Sequence, residues 1–152
     1  MDLEAVKRLL EGDSESQQAV DSLPLRFFDQ FMLGGMKVDK LEPGRLICSM
    51  KVPARLVSGG GFLQGGATAT MVDLVGSLAM FTTGVTVAGV SVEINLSYLD
   101  AAFEGEEVEI EARVLRVGKA VGVVSVEIRK KRTGKIVAQG RHTLYLAVAS
   151  KL

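Results

Sequence analysis

Hydrophobic and polar residues follow two different rhythms along this chain, and one long segment follows neither. Leu3, Val6, Leu9 and Leu10 recur at helical spacing and predict a short amphipathic helix. Gly12 to Ser16 reads as a polar break. Asp21-Ser22 is suited to cap a second short helix, with Pro24 near its start, Leu25, Phe27, Phe28 and Phe31 inside it, and Gly34-Gly35 at its end. From Met36 the rhythm is that of strands. Met36 to Leu41, the turn signal Pro43-Gly44, and Arg45 to Val52 predict a hairpin that Pro53 ends. The second half holds strand candidates over 86–99, 106–117, 119–131 and 135–148, expected as a meander. In the second of these, Val108, Ile110, Ala112 and Val114 lie on one face and Glu107, Glu109, Glu111 and Arg113 on the other.

The segment without a rhythm runs from Val57 to Val92. Asp73 is the only charged residue between Arg55 and Glu93. After Gly59-Gly60-Gly61, the run from Gly65 to Thr83 predicts a helix closed by Gly84. A helix that is apolar nearly all round must be wrapped. A membrane span is the rival at this length, but a central aspartate and a direct run into alternating strands argue against it. The expected architecture is α+β: one long central helix wrapped by a curved antiparallel sheet of about six strands. Residues 1–35 form a helical N-terminal extension packed on the domain, and the domain itself covers 36–149.

Composition narrows the chemistry. A chain of 152 residues fits one domain with a core of reasonable size. Zero formal net charge suggests neither nucleic acid nor an anionic membrane as a partner. Hydrophobic content is 47 % with only 5 % aromatics, so the core is built from aliphatic residues and Met. Cys48 is the only cysteine and reads as a small core hydrophobe; with the single His142 it leaves no protein-only zinc site, and no metal is expected. His142 reads as a satisfied strand residue. Residues 1–11 are charged and helical, unlike a signal peptide. Ser150-Lys151-Leu152 matches the tripeptide that addresses eukaryotic proteins to peroxisomes, so the expectation is a peroxisomal protein that binds the import receptor, and otherwise a cytoplasmic one.

Three stretches together resemble a known family. They are Gln64-Gly65-Gly66 with Asp73, the strand Gly89-Val90-Ser91-Val92-Glu93-Ile94-Asn95-Leu96-Ser97-Tyr98, and Gly134-Lys135-Ile136-Val137-Ala138-Gln139-Gly140-Arg141-His142-Thr143. In this order and spacing they are similar to the hotdog-fold acyl-CoA thioesterases, in the small single-domain branch that includes 4-hydroxybenzoyl-CoA thioesterase and thioesterase superfamily member 2. The resemblance implies a hotdog fold, a homodimer or homotetramer, and hydrolysis of an acyl-CoA with no cofactor, CoA being part of the substrate. It implies that Asp73 is nucleophile or general base, that the Gly65 N–H polarises the thioester carbonyl, and that Ser91 orients the attacking water. Gln64 stands where several relatives have His, and Ser58 where one has Asn; both positions support the carbonyl or the water. Gly66, Glu93 and Tyr98 are expected at the substrate. Arg116, Gly118 and Lys119 sit at a turn where relatives contact CoA. The basic run Arg129-Lys130-Lys131-Arg132 reads instead as a solvated hairpin tip.

The residues support this chemistry without the family. Thioester hydrolysis needs a base or nucleophile and a donor for the developing oxyanion. Gly65 opens a helix, where free N–H groups and the dipole favour negative charge. Eight residues separate Gly65 from Asp73, about 12 Å along a helix axis. One helix cannot bring both to one carbonyl, so the chemistry predicts a composite site between antiparallel helices of two subunits. The rivals are a non-catalytic acyl-CoA-binding protein and a hotdog-fold enoyl-CoA hydratase or dehydratase. The latter wants an Asp/His pair, and no histidine lies near Asp73 in the sequence. Small side chains at Ala67, Ala69, Gly76 and Ala79, with Met71 and Met80, leave room for an aliphatic, aromatic or naphthoyl group.

Overall fold

The computed structural model describes residues 2–87 and 89–147; Ser150-Lys151-Leu152 lies outside them. The chain divides between Phe31 and Met32 into two compact units. In the first, α1 (Leu3–Glu11) and α2 (Ser14–Asp21) each start at an aspartate. The Asp2 carboxylate accepts from Ala5 N and the Asp13 carboxylate from Ser16 N, both at 2.7 Å. The helix α2 fills much of the expected polar break. Its caps are good but it buries no residue, so apolar spacing does not mark it. Ser22 closes α2 rather than opening the next helix, α3 (Phe27–Leu33). Phe27 packs edge-on against Phe28 and Phe31.

The second unit is a sheet around a helix. Its elements are β1 (Lys37–Glu42), β2 (Arg45–Lys51), the helix α4 (Gly65–Phe81), β3 (Val90–Tyr98), β4 (Glu107–Val117), β5 (Val121–Lys130) and β6 (Ile136–Tyr145). Gly44 takes a φ of +76° in the β1–β2 turn, a conformation that favours glycine. Its N–H donates to Thr82 Oγ1 at 2.8 Å, which ties the hairpin to the end of α4.

All pairings are antiparallel, in the order β1-β2-β4-β5-β6-β3. The expected four-strand meander is therefore corrected. The run β4-β5-β6 is a meander, but β3 pairs with β6 at the far edge. The physical reason is the helix. The connection from β2 through α4 crosses the inner face of the sheet and delivers the chain to the opposite edge.

The core is the contact between α4 and the inner face. Met71, Val72, Val75, Ala79 and Met80 of the helix pack with Val108, Ile110, Ala112, Val124, Val126 and Ile128 of the sheet, all buried. Glu111 on the outer face is only 7 % exposed. Burial pushes its carboxyl up, but hydrogen bonds from Arg45 and Arg129 and the charge of Arg113 outweigh that and hold it below the usual range. Arg45 Nε reaches it at 2.7 Å, Arg113 at 2.6 Å and Arg129 at 2.8 Å. The basic run after β5 is also spent on neighbours. Lys130 pairs with Asp100 and Glu106, and Lys131 with Asp39 and Glu107.

Cys48 on β2 is 3 % exposed, and burial, with the Asp39 charge adding, pushes its thiol up to about 11. The native protein should not react with Ellman's reagent at mildly alkaline pH and should give one thiol per chain after unfolding in guanidinium. A fast native reaction would place Cys48 at the surface.

Candidate active site

The helix α4 begins at a loop drawn tight by Gln64. Its N–H donates to Leu56 O at 2.9 Å, and its side-chain Oε1 accepts from Ala67 N at 2.9 Å. Gln64 is thus the N-cap of α4. Gly66 makes room for this, because a Cβ there would lie 2.9 Å from Gln64 Oε1. Gly65 holds the first position of the helix, where backbone N–H groups have no acceptor inside the helix. Tyr98 Oη donates to Gly65 O at 2.8 Å. Gly65, Thr68, Tyr98, Phe62, Asp100 and Val137 line a groove of about 410 Å³. Ser58 sits in the preceding turn, its hydroxyl accepting from Gly60 N at 3.3 Å.

Two turns further on, Asp73 leaves the helix toward the β3 edge with its side chain 43 % exposed. Ser91 Oγ donates to Asp73 Oδ1 at 3.1 Å. His142 Nε2 lies 2.8 Å from the same Ser91 oxygen and 3.4 Å from Asp73 Oδ1. His142 itself is fully buried on β6, between Ile94 of β3 and Val124 of β5. Burial depresses the basicity of its ring, and the Asp73 charge works weakly against that.

A register shift puts Ser91 there. Ile94 and Leu96 of β3 pack on the core. Side chains alternate faces along a strand, so Ser91, three residues before Ile94, should point outward. A bulge between Ser91 and Glu93 inserts one unpaired residue and reverses the parity. Ser91 turns in toward Asp73. Glu93 stays on the outer face and lines a polar depression with Asn95, Ser97 and Arg141.

The expected site residues therefore fall in separate places. Gln64, Gly65, Gly66 and Tyr98 gather at the start of α4, after the Ser58 turn. Asp73 and Ser91 meet in its middle. Arg116, Gly118 and Lys119 occupy the β4–β5 hairpin, with Arg116 and Lys119 exposed. The hairpin lies toward the other end of α4, where Met80 packs against Gly122. His142 was read as a satisfied strand residue; the fold brings it to the Asp73–Ser91 pair, and among the described residues its Nδ1 has no hydrogen-bond partner. The available signal was that it is the sole histidine, on a strand of the same motif set.

A curved antiparallel sheet wrapped around one helix, with a carboxylate at the open edge, is the hotdog architecture, and comparison with known proteins agrees. A family model described as "Thioesterase superfamily" matches residues 60–137. Acyl-coenzyme A thioesterase 13 of Homo sapiens is 42 % identical over 115 residues, which is 76 % of this chain and 82 % of the relative. The Mus musculus protein of the same name is 44 % identical over 104 residues, 68 % of this chain and 74 % of the relative. The crystal structure of zebra fish thioesterase superfamily member 2 matches with a TM-score of 0.77 at 36 % identity, covering 96 % of this chain and 99 % of that one. This chain belongs to the thioesterase superfamily.

The seam between β3 and β6 holds Ser91 and His142 together, and Gly140 on it leaves no room for a side chain. A Cβ on Gly140 would stand 2.2 Å from Asn95 O, a backbone atom that cannot rotate away. Gly140→Ala should destabilise the protein by about 1–3 kcal/mol and lower the melting temperature by several degrees. A calorimetric melt that superimposes on wild type would contradict this.

Proposed function

We propose that this chain is an acyl-CoA thioesterase, hydrolysing a CoA thioester to the free acid and CoA. The observation that carries the reading is the half-exposed Asp73 carboxylate, hydrogen-bonded to Ser91 on an otherwise uncharged helix of a thioesterase-superfamily chain. The names of the mammalian relatives support acyl-CoA as the substrate class. Asp73 either attacks the thioester carbonyl or takes a proton from the attacking water. The carbonyl oxygen gains charge against the Gly65 N–H, the C–S bond breaks, and CoA leaves as the thiol. Arg116 and Lys119 are the basic residues proposed for the CoA phosphates, since Arg129, Lys130 and Lys131 are engaged by carboxylates. An apolar cavity of about 80 Å³, lined by Ser77, Phe81 and Leu144 one turn beyond Asp73, offers space for the acyl end.

The working unit is proposed to be a dimer, or a dimer of dimers, with Gly65 of one subunit facing Asp73 of the other. Two observations support this. The strand β3 is largely exposed and, among the described residues, pairs only with β6. The outward face of α4 carries half-exposed apolar Leu74 and exposed Leu78 and Phe81 around Asp73. Apolar surface of this kind, continuous with an unpaired strand edge, fits a second copy.

A hydratase remains the alternative with an observation behind it, because the fold supplies the Asp/His pair that the sequence order hid. The burial of His142 argues for hydrolysis: Asp73 and Ser91 stand between the ring and any substrate. Thiol release from a panel of acyl-CoAs separates these readings. Hydration without thiol identifies the hydratase; tight binding with neither identifies a non-catalytic binder.

Asp73→Asn should lower kcat/KM by at least about 100-fold while leaving the dimer intact by light scattering. Near wild-type turnover would refute the assignment. The peroxisomal reading of Ser150-Lys151-Leu152 is proposed for a eukaryotic cell. The last ten or so residues, fused to a fluorescent reporter, should give punctate signal that overlaps a peroxisomal marker. Diffuse cytosolic fluorescence would dispose of it.

A further inference from the structure

We propose that Tyr98 is a positioning residue for the carbonyl-binding end of the site. Its hydroxyl holds and polarises the Gly65–Gly66 peptide, so that the Gly66 N–H joins the Gly65 N–H as a second donor to the thioester oxygen. The inference rests on the reading of this chain as a thioesterase with Gly65 at the carbonyl.

The donors at the start of α4 can be counted. A helix begins with four N–H groups that have no acceptor within it. Gln64 N is spent on Leu56 O and Ala67 N on Gln64 Oε1, each at 2.9 Å. The first bond inside the helix is Thr68 N to Gln64 O at 3.0 Å. Gly65 N and Gly66 N are left over, and among the described residues neither has a partner. Both belong to glycines, so no Cβ shields either N–H from a ligand in the groove that Gly65 lines. Adjacent open N–H groups at a helix start favour an oxygen that gains negative charge.

Tyr98 acts on the peptide that joins the two glycines. It is the last residue of β3 and, past the bulge, shares the inner face with Ile94 and Leu96. Leu99 N and Asp100 N both donate to Val137 O, at 2.8 and 3.1 Å, which fixes the strand end beside β6. The ring lies along Gly65, its nearest atoms 3.4–3.6 Å from where a Cβ would stand. Its Oη donates to Gly65 O at 2.8 Å. That oxygen belongs to the same amide as the Gly66 N–H. A hydrogen bond accepted at the carbonyl draws electron density from the nitrogen and strengthens its N–H as a donor. It also resists tilting of the peptide as charge develops on the substrate.

Stability does not account for the hydroxyl. Tyr98 is 56 % exposed, so water would serve both the phenol and the carbonyl, and the bond adds little to folding. A phenylalanine would pack the same surface. The hydroxyl adds orientation at the place where an oxyanion has to be met.

Tyr98→Phe keeps the ring and removes this bond. Its kcat should fall about tenfold with KM within about twofold, because the second donor matters most once the oxygen is charged. The direct readout is the carbonyl. A carbon-13 ketone analogue of an acyl-CoA that the protein turns over, with a methylene group in place of the thioester sulfur, binds without being hydrolysed. Its infrared C=O stretch reports the donors it meets, and should lie several wavenumbers higher in Tyr98→Phe than in wild type. A merely structural tyrosine would lower the melting temperature and leave the stretch in place. An unchanged stretch overturns the inference whatever the rate does, and so does a rise in KM with kcat intact. If wild type releases no thiol from any acyl-CoA, the thioesterase reading fails and this inference with it.

Discussion

A helix with no polar face has to be enclosed, and the burial of α4 is the constraint from which the rest of this unit follows. Met71, Val72, Val75 and Ala79 are fully buried, each large side chain contributing on the order of 1.5–3 kcal/mol. Sheet strands β2, β3, β4, β5 and β6 all contact the helix, which requires the sheet to curl. A curled sheet has an outer face that cannot also be apolar without inviting aggregation. That face carries the Glu111–Arg45–Arg113–Arg129 network. Its net contribution to stability is modest, since desolvating these charges offsets much of their attraction. Its effect is to mark which side of the sheet stays wet.

Enclosure also explains where the carboxylate can be. Asp73 could not be tolerated under β4 or β5, where an unpaired charge would be costly. It lies at the β3 edge, half exposed and hydrogen-bonded. A regular β3 would present Val92 rather than Ser91 to that position. The bulge between Ser91 and Glu93 substitutes a hydroxyl for a methyl group at the one place on the inner face where a carboxylate needs a donor. One extra residue in an edge strand thus converts a packing surface into a site.

The elements were legible where periodicity is strong. The helix from Gly65, the hairpin at Pro43-Gly44 and the alternation of β4 all show in the residue pattern, because burial on one face writes itself into the sequence. The strand order was not legible, since an edge strand and a central strand alternate alike when only one face is buried. The helix α2 was missed because Asp13 and local hydrogen bonds hold it, and neither leaves an apolar stripe. Within the site, Asp73 stood out as a lone charge. The inward turn of Ser91 did not, because a bulge has no reliable residue signature when no glycine occupies it. The role of Arg129-Lys130-Lys131 was half legible: the charges were plain, but their partners Glu109, Glu111, Asp100 and Asp39 come from other strands and loops.

The separation of Gly65 from Asp73 bears on what kind of site one chain can form. Their eight-residue spacing in a continuous helix fixes about 12 Å of axial distance, and no side-chain rotation closes it to the roughly 3 Å that catalysis requires. Tyr98 holds the start of the helix through Gly65 O, and Ser91 holds the middle through Asp73, so the helix is pinned to β3 at both points and cannot bend to bring them together. On the proposed roles, a single chain presents the Gly65 N–H with no base beside it and the Asp73 carboxylate with no oxyanion donor beside it. Antiparallel pairing of two such helices about a two-fold axis would complete both at once. The apolar residues around Asp73 and the open edge of β3 would then be buried by the act that assembles the chemistry.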